Sequence, residues 1–207
     1  MLITFEGIEG SGKSTLIATL ASDLRERGVP VLVTREPGGT PLGDAVRTIF
    51  LDPRIRIDPL TEALLINAAR AQHVSEVIGP ALKAGRIVLC DRFFDATIAY
   101  QGFGRGLDVE LLLELCLIAT QRIAPDLTFV LDVTPEISAA RVAERGASDR
   151  LEREGIGFHH RVREGYLQLA ERFGRMHVID ATQSPESVAA AALIELEVRR
   201  VRHASTL

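Results

Sequence analysis

A glycine-rich segment near the start of the chain has the spacing of a phosphate-binding loop. It reads Gly7-Ile8-Glu9-Gly10-Ser11-Gly12-Lys13-Ser14, followed by Thr15, and it matches the pattern G-x-x-x-x-G-K-[ST]. Glycines allow backbone N–H groups to converge on phosphate oxygens, and a helix N-terminus adds the positive end of a dipole. A plain glycine-rich turn with a surface lysine is the alternative. Because an apolar strand precedes the segment and a helical pattern follows it, we expect residues 7–15 to bind a nucleoside triphosphate, with Lys13 on its β- and γ-phosphates.

Phosphoryl transfer also needs a carboxylate that organises Mg²⁺ at the end of a neighbouring strand. Asp91 follows the apolar run Ile87 to Cys90, and Arg92 comes directly after it. An arginine there could hold an acceptor phosphate with two parallel hydrogen bonds. We therefore predict that Ser14 and Asp91 ligate Mg²⁺ and that Arg92 binds the acceptor. Asp132, at the end of a second strand, is interpreted as a structural or helix-capping residue.

Positive charge on the migrating phosphoryl group is the third requirement. The variable positions of the phosphate-binding loop carry Glu9 and no arginine, whereas Arg145, Arg150 and Arg153 lie in a polar segment with glycines on either side. Composition alone favours a solvated loop for this segment. A mobile lid that brings arginine to the γ-phosphate would have the same composition, and arginines in that role raise rates by about 10³–10⁵.

The elements that must position these residues follow one another as strand and helix in alternation. Short apolar strands are predicted at 2–5, 31–34, 87–90, 127–133 and 177–179, and helices at 42–51, 59–84, 109–123, about 136–144, about 158–173 and at the C-terminus. Such strands are typical of a parallel sheet covered by helices, in which ligands bind beyond the carboxyl ends of the strands. Every motif above falls at such an end or in an adjacent helix.

Composition excludes several classes of protein. Among 207 residues, 46% are hydrophobic and 25% charged, with a net charge of −4, which argues against nucleic acid as a partner. The apolar stretches are too short to cross a bilayer, and the N-terminus does not read as a signal peptide. Cys90 and Cys116 lie inside apolar runs and are interpreted as buried free thiols. We expect a cytoplasmic protein without membrane association.

Several stretches together resemble the bacterial thymidylate kinases along nearly the whole chain. They are FEGIEGSGKST (5–15), TREPGGT (34–40), CDRFFDATIAYQGFGRG (90–106), LDVTPE (131–136), RGASDRLERE (145–154) and IDATQ (179–183). The resemblance implies an α/β P-loop NTPase fold with three αβα layers and a five-stranded parallel sheet. It implies one domain, 1–207, with monophosphate-binding helices at about 36–84 and a lid at about 145–157. It also implies a homodimer that uses ATP and Mg²⁺ to phosphorylate dTMP to dTDP for dTTP biosynthesis.

The resemblance further assigns residues to the acceptor nucleotide. It implies that Arg92 holds the phosphate, with Arg35 and Arg47 as weaker candidates. It implies that Arg70 and Gln101 read the thymine edge, that Tyr100 packs where a ribose 2′-hydroxyl would sit, and that Glu9 contacts the deoxyribose. Thr97 stands where the family often has serine. Among the lid arginines, Arg150 is the first choice, and Arg153 and Arg145 follow.

One position departs from the family pattern. Ile66 stands four residues before Arg70, where the family usually places a phenylalanine that stacks on thymine. Either pyrimidine binding is weakened, or Phe93 or Phe94 covers the base instead. Two other functions compete with the monophosphate kinase. A nucleotide-dependent switch would be favoured by an Asn-Lys-x-Asp motif, which the sequence does not contain, and a nucleoside kinase would share the Asp-Arg pair.

Overall fold

A parallel sheet of five strands forms the centre of the molecule. The computed structural model describes residues 1–144, 146 and 149–204. All strand pairs are parallel, in the order β2-β3-β1-β4-β5. The strands are β1 (Leu2–Glu6), β2 (Val31–Arg35), β3 (Ile87–Asp91), β4 (Leu127–Asp132) and β5 (Met176–Asp180). Because β1 lies between β3 and β4, its carboxyl end is at the middle of the edge where ligands are expected, and the predicted α/β class is confirmed.

Helices connect the strands and pack against the sheet. They are α1 (Lys13–Glu26), α2 (Pro41–Leu51), α3 (Pro59–His73), α4 (Gly79–Lys83), α5 (Phe94–Thr97), α6 (Val109–Ala119), α7 (Pro135–Ala143), α8 (Ile156–Arg172) and α9 (Pro185–Ala204). Two segments are π-helical, Val74–Ile78 and Ile98–Gly104. β1 and β3 are buried almost throughout, and together with α1 they contribute many of the apolar side chains of the core.

Local sequence explains several helix starts. Thr40 caps α2 by accepting a hydrogen bond from the Gly43 amide at 3.0 Å, with a proline next in the chain. Asp58 caps α3 in the same way through the Leu60 amide at 3.0 Å, again ahead of a proline. These caps satisfy backbone donors that helices leave unpaired, and proline suits the first helical position. Helices α2 and α3 therefore begin where turn chemistry requires.

The structure differs from the predicted elements in three places. The helix predicted over 59–84 is broken into α3, a π-helical segment and α4. The helix predicted over 109–123 ends at Ala119, where Gln121 and Arg122 take positive φ. Residues 94–104, left without a predicted element, form α5 and the second π-helical segment. Gly102 and Gly104 read locally as turn residues, so the sequence does not predict a helical segment here. Tertiary packing stabilises the helical conformation instead.

Candidate active site

A cavity of about 540 Å³ opens at the carboxyl ends of β1, β2 and β3. Its volume lies within the range of small-molecule sites. Most of the predicted site residues line it: Glu9, Gly10, Ser11, Gly12, Lys13, Ser14, Thr15, Arg35, Arg47, Ile66, Arg70, Asp91, Arg92, Thr97, Tyr100 and Gln101. Gly7 and Ile8 lie behind this lining, beside the end of β4. The fold thus brings the phosphate-binding loop and the predicted acceptor residues to the wall of one cavity.

The phosphate-binding loop has a backbone that requires glycine. Gly7 has φ of 129°, and a Cβ there would lie 2.5 Å from the Leu131 carbonyl oxygen. Gly12 has φ of 97° and caps α1. The loop encloses the Lys13 ammonium, which donates to the carbonyls of Gly7 and Ile8 at 3.0 and 2.9 Å and to Ser11 Oγ at 3.3 Å. The ammonium therefore sits within the loop, beside the first turn of α1.

Arg92 approaches the same loop from the end of β3. Its Nη1 donates to the Gly7 carbonyl at 3.0 Å, so two cations share one carbonyl oxygen. Its Nη2 pairs with Glu9 Oε1 at 2.7 Å, and the guanidinium lies 5.0 Å over the Tyr100 ring. Arg92 also has φ of 66°, which is unusual for a residue other than glycine. Strained backbone of this kind is concentrated at functional sites, and here it aims a guanidinium at the loop.

The charges at this point perturb one another. Burial lowers the pKa of Lys13 to about 8, and the positive charge of Arg92 acts in the same direction. Burial would raise the pKa of Glu9, but the charges of Arg92 and Lys13 and the Tyr100 hydroxyl outweigh it and lower that pKa. The Tyr100 hydroxyl contacts both Glu9 oxygens at 2.9 and 2.8 Å. Glu9 is thus a carboxylate that holds Arg92 and Tyr100 in place.

Arg35 and Arg47 extend the positive region along the cavity wall. Burial, together with the charges of Arg35 and Arg92, lowers the pKa of Arg47. Arg47 Nη1 donates to the Pro37 carbonyl at 3.2 Å, which keeps its guanidinium near the loop after β2. Cations that disfavour each other's charge would be stabilised by an anion between them. The cavity wall therefore carries a second group of positive charges outside the phosphate-binding loop.

Arg70 lies deeper in the cavity and is almost fully buried. Its Nε pairs with Glu36 at 2.7 Å, Nη1 contacts Thr97 Oγ1 at 3.0 Å, and Nη2 donates to the Phe93 carbonyl at 3.1 Å. Its guanidinium lies 5.6 Å from the centre of the Phe93 ring. The guanidinium is therefore fixed in one orientation, with its plane set by Glu36 and Phe93.

The aromatic neighbours answer part of the question raised by Ile66. Ile66 and Phe93 both line the cavity, whereas Phe94 lies beside the Arg175 guanidinium, which is 5.0 Å from the centre of the Phe94 ring. Of the two phenylalanines considered from the sequence, Phe93 is thus the one that reaches the cavity. Phe50, from the end of α2, lines it as well and was not anticipated.

The lid arginines are placed differently from the other site residues. Arg150 Nη1 pairs with Glu62 Oε1 at 2.5 Å, its Nε donates to the Phe50 carbonyl at 2.8 Å, and its guanidinium lies 4.9 Å from the centre of the Phe50 ring. Within the described residues, neither Arg150 nor Arg153 lines the cavity, although Leu151 and Glu152 do. Arg145 lies outside the described residues. Arg150 here anchors the lid segment to α2 and α3.

Ser14 and Asp91 are the two residues predicted from the sequence to hold a divalent metal. Both line the cavity, Ser14 in the first turn of α1 and Asp91 at the end of β3, where Asp91 is paired in register with Phe5 of β1. No cluster of three or more metal-binding side chains occurs among the described residues. Mg²⁺ is commonly held by one or two protein oxygens, with substrate phosphates and water completing its shell, and this pair fits that pattern. Asp132 instead forms a two-point ion pair with Arg163 at 2.7 Å.

Two residues that support the site were missed by the sequence analysis. Glu6 is buried at the end of β1, where it accepts from the Phe93 amide at 2.7 Å and from the Tyr166 hydroxyl at 2.8 Å. Burial and the nearby Asp95 raise the pKa of Glu6 to about 8. Tyr166 in turn accepts from Arg92 at 3.2 Å. The only local sign that Glu6 belongs to the site is its position directly before the phosphate-binding loop. Its contact with Tyr166 of α8 could not be inferred from the sequence.

Comparisons with known proteins identify the family of this chain. The thymidylate kinase family model matches residues 5–192. A thymidylate kinase of Carboxydothermus hydrogenoformans is 50% identical over 186 residues, covering 90% of this chain and 91% of that protein. A thymidylate kinase of Pseudomonas putida is 52% identical, covering 91% and 92%. The crystal structure of a thymidylate kinase from Ehrlichia chaffeensis superposes with a TM-score of 0.77 at 38% identity, covering 95% of this chain and 98% of that one. The chain belongs to the thymidylate kinase family.

Proposed function

We propose that this chain transfers the γ-phosphoryl group of ATP to dTMP, giving ADP and dTDP on the route to dTTP. One observation carries the proposal beyond family membership. Lys13, at the start of α1, and Arg92, after β3, converge on the Gly7 carbonyl at 3.0 Å each. The cavity of about 540 Å³ beside them leaves room for a second nucleotide. A triphosphate on the loop and a monophosphate on Arg92 would therefore meet end to end.

The protein's contribution would be alignment and charge. Amides of residues 7–15 and the Lys13 ammonium hold the β- and γ-phosphates, while Arg92, Arg35 and Arg47 hold the acceptor phosphate. An acceptor phosphate oxygen forms a bond to the γ-phosphorus as the bond between that phosphorus and the β–γ bridging oxygen breaks, and ADP leaves with the electron pair. Positioning and electrostatic stabilisation account for most of catalysis in such reactions.

Ser14 and Asp91 are proposed to hold Mg²⁺ together with the phosphates. The bound ion would supply charge neutralisation on the β- and γ-phosphate oxygens. Ser14 is exposed in the N-terminal turn of α1, which is where a phosphate-bound ion would need a ligand. The Asp91 carboxylate would orient the same ion directly or through water.

The lid, residues 145–157, is proposed to add positive charge during transfer, with Arg150 first and Arg153 second. Arg150 is held by Glu62 and by the Phe50 carbonyl, so it must exchange these contacts to reach a phosphoryl group. If it does so in the transition state, Arg150→Ala should lower kcat by about 10³-fold and change KM for dTMP little. A change confined to KM would assign Arg150 to lid anchoring.

Release of ADP, measured by a coupled assay with a panel of nucleoside monophosphates, tests the proposed reaction. Lys13→Ala should abolish turnover, and circular dichroism should show an unchanged fold. Preference for a purine monophosphate would overturn the substrate assignment. Hydrolysis of ATP that ignores added monophosphates would support a nucleotide-dependent switch, and turnover of thymidine itself would support a nucleoside kinase.

We also propose that the enzyme acts as a homodimer. Four large apolar side chains are strongly exposed on α3 and α6, helices that contact each other: Leu60, Leu64, Leu111 and Ile118. Exposed apolar surface of this kind marks protein interfaces. Light scattering after gel filtration should give twice the chain mass, and Ile118→Glu should shift the protein toward monomer. A wild-type monomer at micromolar concentration would refute this.

Location and remaining partners follow from simpler observations. Cys90 and Cys116 are free and buried. Across the part of the chain that the structure describes, no helix is both long and apolar enough to cross a bilayer. We propose the cytoplasm as the compartment and small nucleotides, rather than nucleic acid, as the ligands, in keeping with the net charge of −4.

A further inference from the structure

Glu62, in the first turn of α3, is a fully buried carboxylate that joins three parts of the molecule. Its Oε1 accepts from Arg150 Nη1 of the lid at 2.5 Å and from Arg105 Nη2 at 3.1 Å. Its Oε2 accepts from Gln101 Nε2 at 3.0 Å and from Arg105 Nε at 3.3 Å. The carboxylate therefore has an asymmetric environment: Oε1 lies between two guanidinium groups, whereas Oε2 accepts from Gln101 and, at a longer distance, from Arg105 Nε.

This environment fixes the orientation of the Gln101 side chain. A carboxylate oxygen only accepts hydrogen bonds, so the Gln101 amide must turn its nitrogen toward Glu62. Its carbonyl oxygen, Oε1, then points elsewhere; it is buried and has no hydrogen-bond partner among the described residues. Gln101 lines the cavity beside Arg70. An unpaired buried acceptor at this position would be satisfied by an N–H group of a bound base.

We propose that Glu62 is a specificity-determining positioning residue that makes Gln101 an acceptor toward the base. This rests on the proposed function, in which Arg70 and Gln101 face the base edge. Thymine and uracil present a donor at N3 and an acceptor at O4, whereas cytosine presents an acceptor at N3 and a donor at N4. A fixed acceptor from Gln101 beside Arg70 Nη2, whose second N–H is not engaged by the Phe93 carbonyl, matches the first pattern and opposes the second.

Glu62→Gln provides the perturbation because it preserves the shape of the side chain and replaces one of its two acceptor oxygens with a donor NH₂ group. The introduced amide oxygen is expected to keep the Oε1 position, where it accepts from Arg150 and Arg105 at 2.5 and 3.1 Å, because the NH₂ group then gives up only the longer Arg105 Nε contact of 3.3 Å. The introduced NH₂ group would then face Gln101, which would turn its own oxygen toward that group and its nitrogen toward the base. The variant should therefore lose its preference for a donor at N3.

The measurement is kcat/KM for dUMP, dCMP and dTMP, determined for the wild type and the variant. dUMP and dCMP differ only at the edge in question, so their ratio isolates it; dTMP and dUMP differ only at the 5-methyl group. We expect a wild-type dUMP-to-dCMP ratio of about 100 or more, reduced about tenfold or more in Glu62→Gln. The dTMP-to-dUMP ratio should stay within about twofold of its wild-type value.

Glu154→Gln is the matched control. Glu154 pairs with Arg105 at 2.6 Å, as Glu62 does, but it is not among the hydrogen-bond partners of Gln101. It should leave the dUMP-to-dCMP ratio at the wild-type value. If Glu62→Gln lowered kcat/KM by the same factor for all three nucleotides, Glu62 would have a merely structural role and the proposal would be overturned. A wild-type ratio near one would overturn it without any variant. Preference for a purine monophosphate, or inactivity on every pyrimidine monophosphate, would instead refute the proposed function.

Discussion

Gly165 lies in α8 where this helix packs against the π-helical segment Ile98–Gly104, which carries Tyr100 and Gln101. A Cβ at Gly165 would lie 2.6 Å from both Cγ and Cδ2 of Phe103 and 2.8 Å from its Cβ. These atoms are close to the Phe103 backbone, so rotation of the ring cannot relieve the overlap. Gly165→Ala must therefore push the π-helical segment away from α8.

The magnitude follows from two opposing effects. Alanine is favoured over glycine in a helix interior by about 1 kcal/mol, and overpacking a tight contact costs about 1–3 kcal/mol. Because three atoms overlap, we expect the upper part of that range and a net loss of about 1–2 kcal/mol. For a chain of this length, each kcal/mol moves Tm by about 2–4 °C, so Tm should fall by about 2–8 °C.

Gly157→Ala in the same helix supplies the control. There the nearest atom to an added Cβ is Arg161 Nη1 at 3.9 Å, so only the helix propensity changes, by about 1 kcal/mol, and Tm should rise by about 2–4 °C. Thermal unfolding of both variants, together with Gly165→Ala/Phe103→Leu as a partial rescue, tests the reasoning. KM for dTMP should rise in Gly165→Ala alone, since Tyr100 and Gln101 move. Equal Tm values for the two alanine variants would refute the close-packing argument.

Three further predictions concern the site itself. The kcat/KM for ATP should fall above about pH 8 as Lys13 loses its proton. The fall in kcat should occur at a higher pH, because bound phosphates favour the ammonium form of Lys13. If kcat and kcat/KM fell at the same pH, this prediction would be contradicted. Glu6, with a pKa of about 8, keeps in the folded state a proton that the unfolded chain releases near its ordinary value of 4.5. The free energy of unfolding should thus fall as the pH rises between those two values, and it should fall less steeply in Glu6→Gln. Denaturant titrations at several pH values measure this, and an equal dependence on pH in the two proteins would be evidence against a protonated Glu6. Ile66→Phe should lower KM for dTMP about tenfold through stacking on the base, and an unchanged KM would mean that another group already covers the base.

The chemistry of the phosphate-binding loop could be predicted because it is local. Glycine at Gly7 is demanded by φ of 129° and by the nearby Leu131 carbonyl, and the flanking strand and helix follow from apolar periodicity. The pairing of β1 with β3 then brings Asp91 and Arg92 to the same edge of the sheet. Here, sequence spacing and sheet geometry are sufficient to place the residues.

The part of the cavity around Gln101 could not be derived in this way. Glu62 meets Gln101, Arg105 and Arg150, which lie 39, 43 and 88 residues further along the chain. Glu62 in a helical pattern reads locally as an exposed polar residue, and burial reverses that interpretation only after α3, the π-helical segment and the lid are assembled. The same holds for Phe50, whose place in the cavity wall depends on where α2 ends.

The pairing of the cations explains how a chain of net negative charge can keep a phosphate site ready. Lys13 and Arg92 are held by the Gly7 carbonyl, and Arg92 also by the Glu9 carboxylate at 2.7 Å. An incoming anion must replace these contacts, so a group with a single charge and few oxygens gains little. A phosphate with three oxygens can accept from both cations at once, and a hydrogen bond between a charged donor and a charged acceptor is stronger than one from the same donor to a neutral carbonyl. We therefore expect selectivity for phosphate over smaller anions to arise from the contacts that the cations must give up.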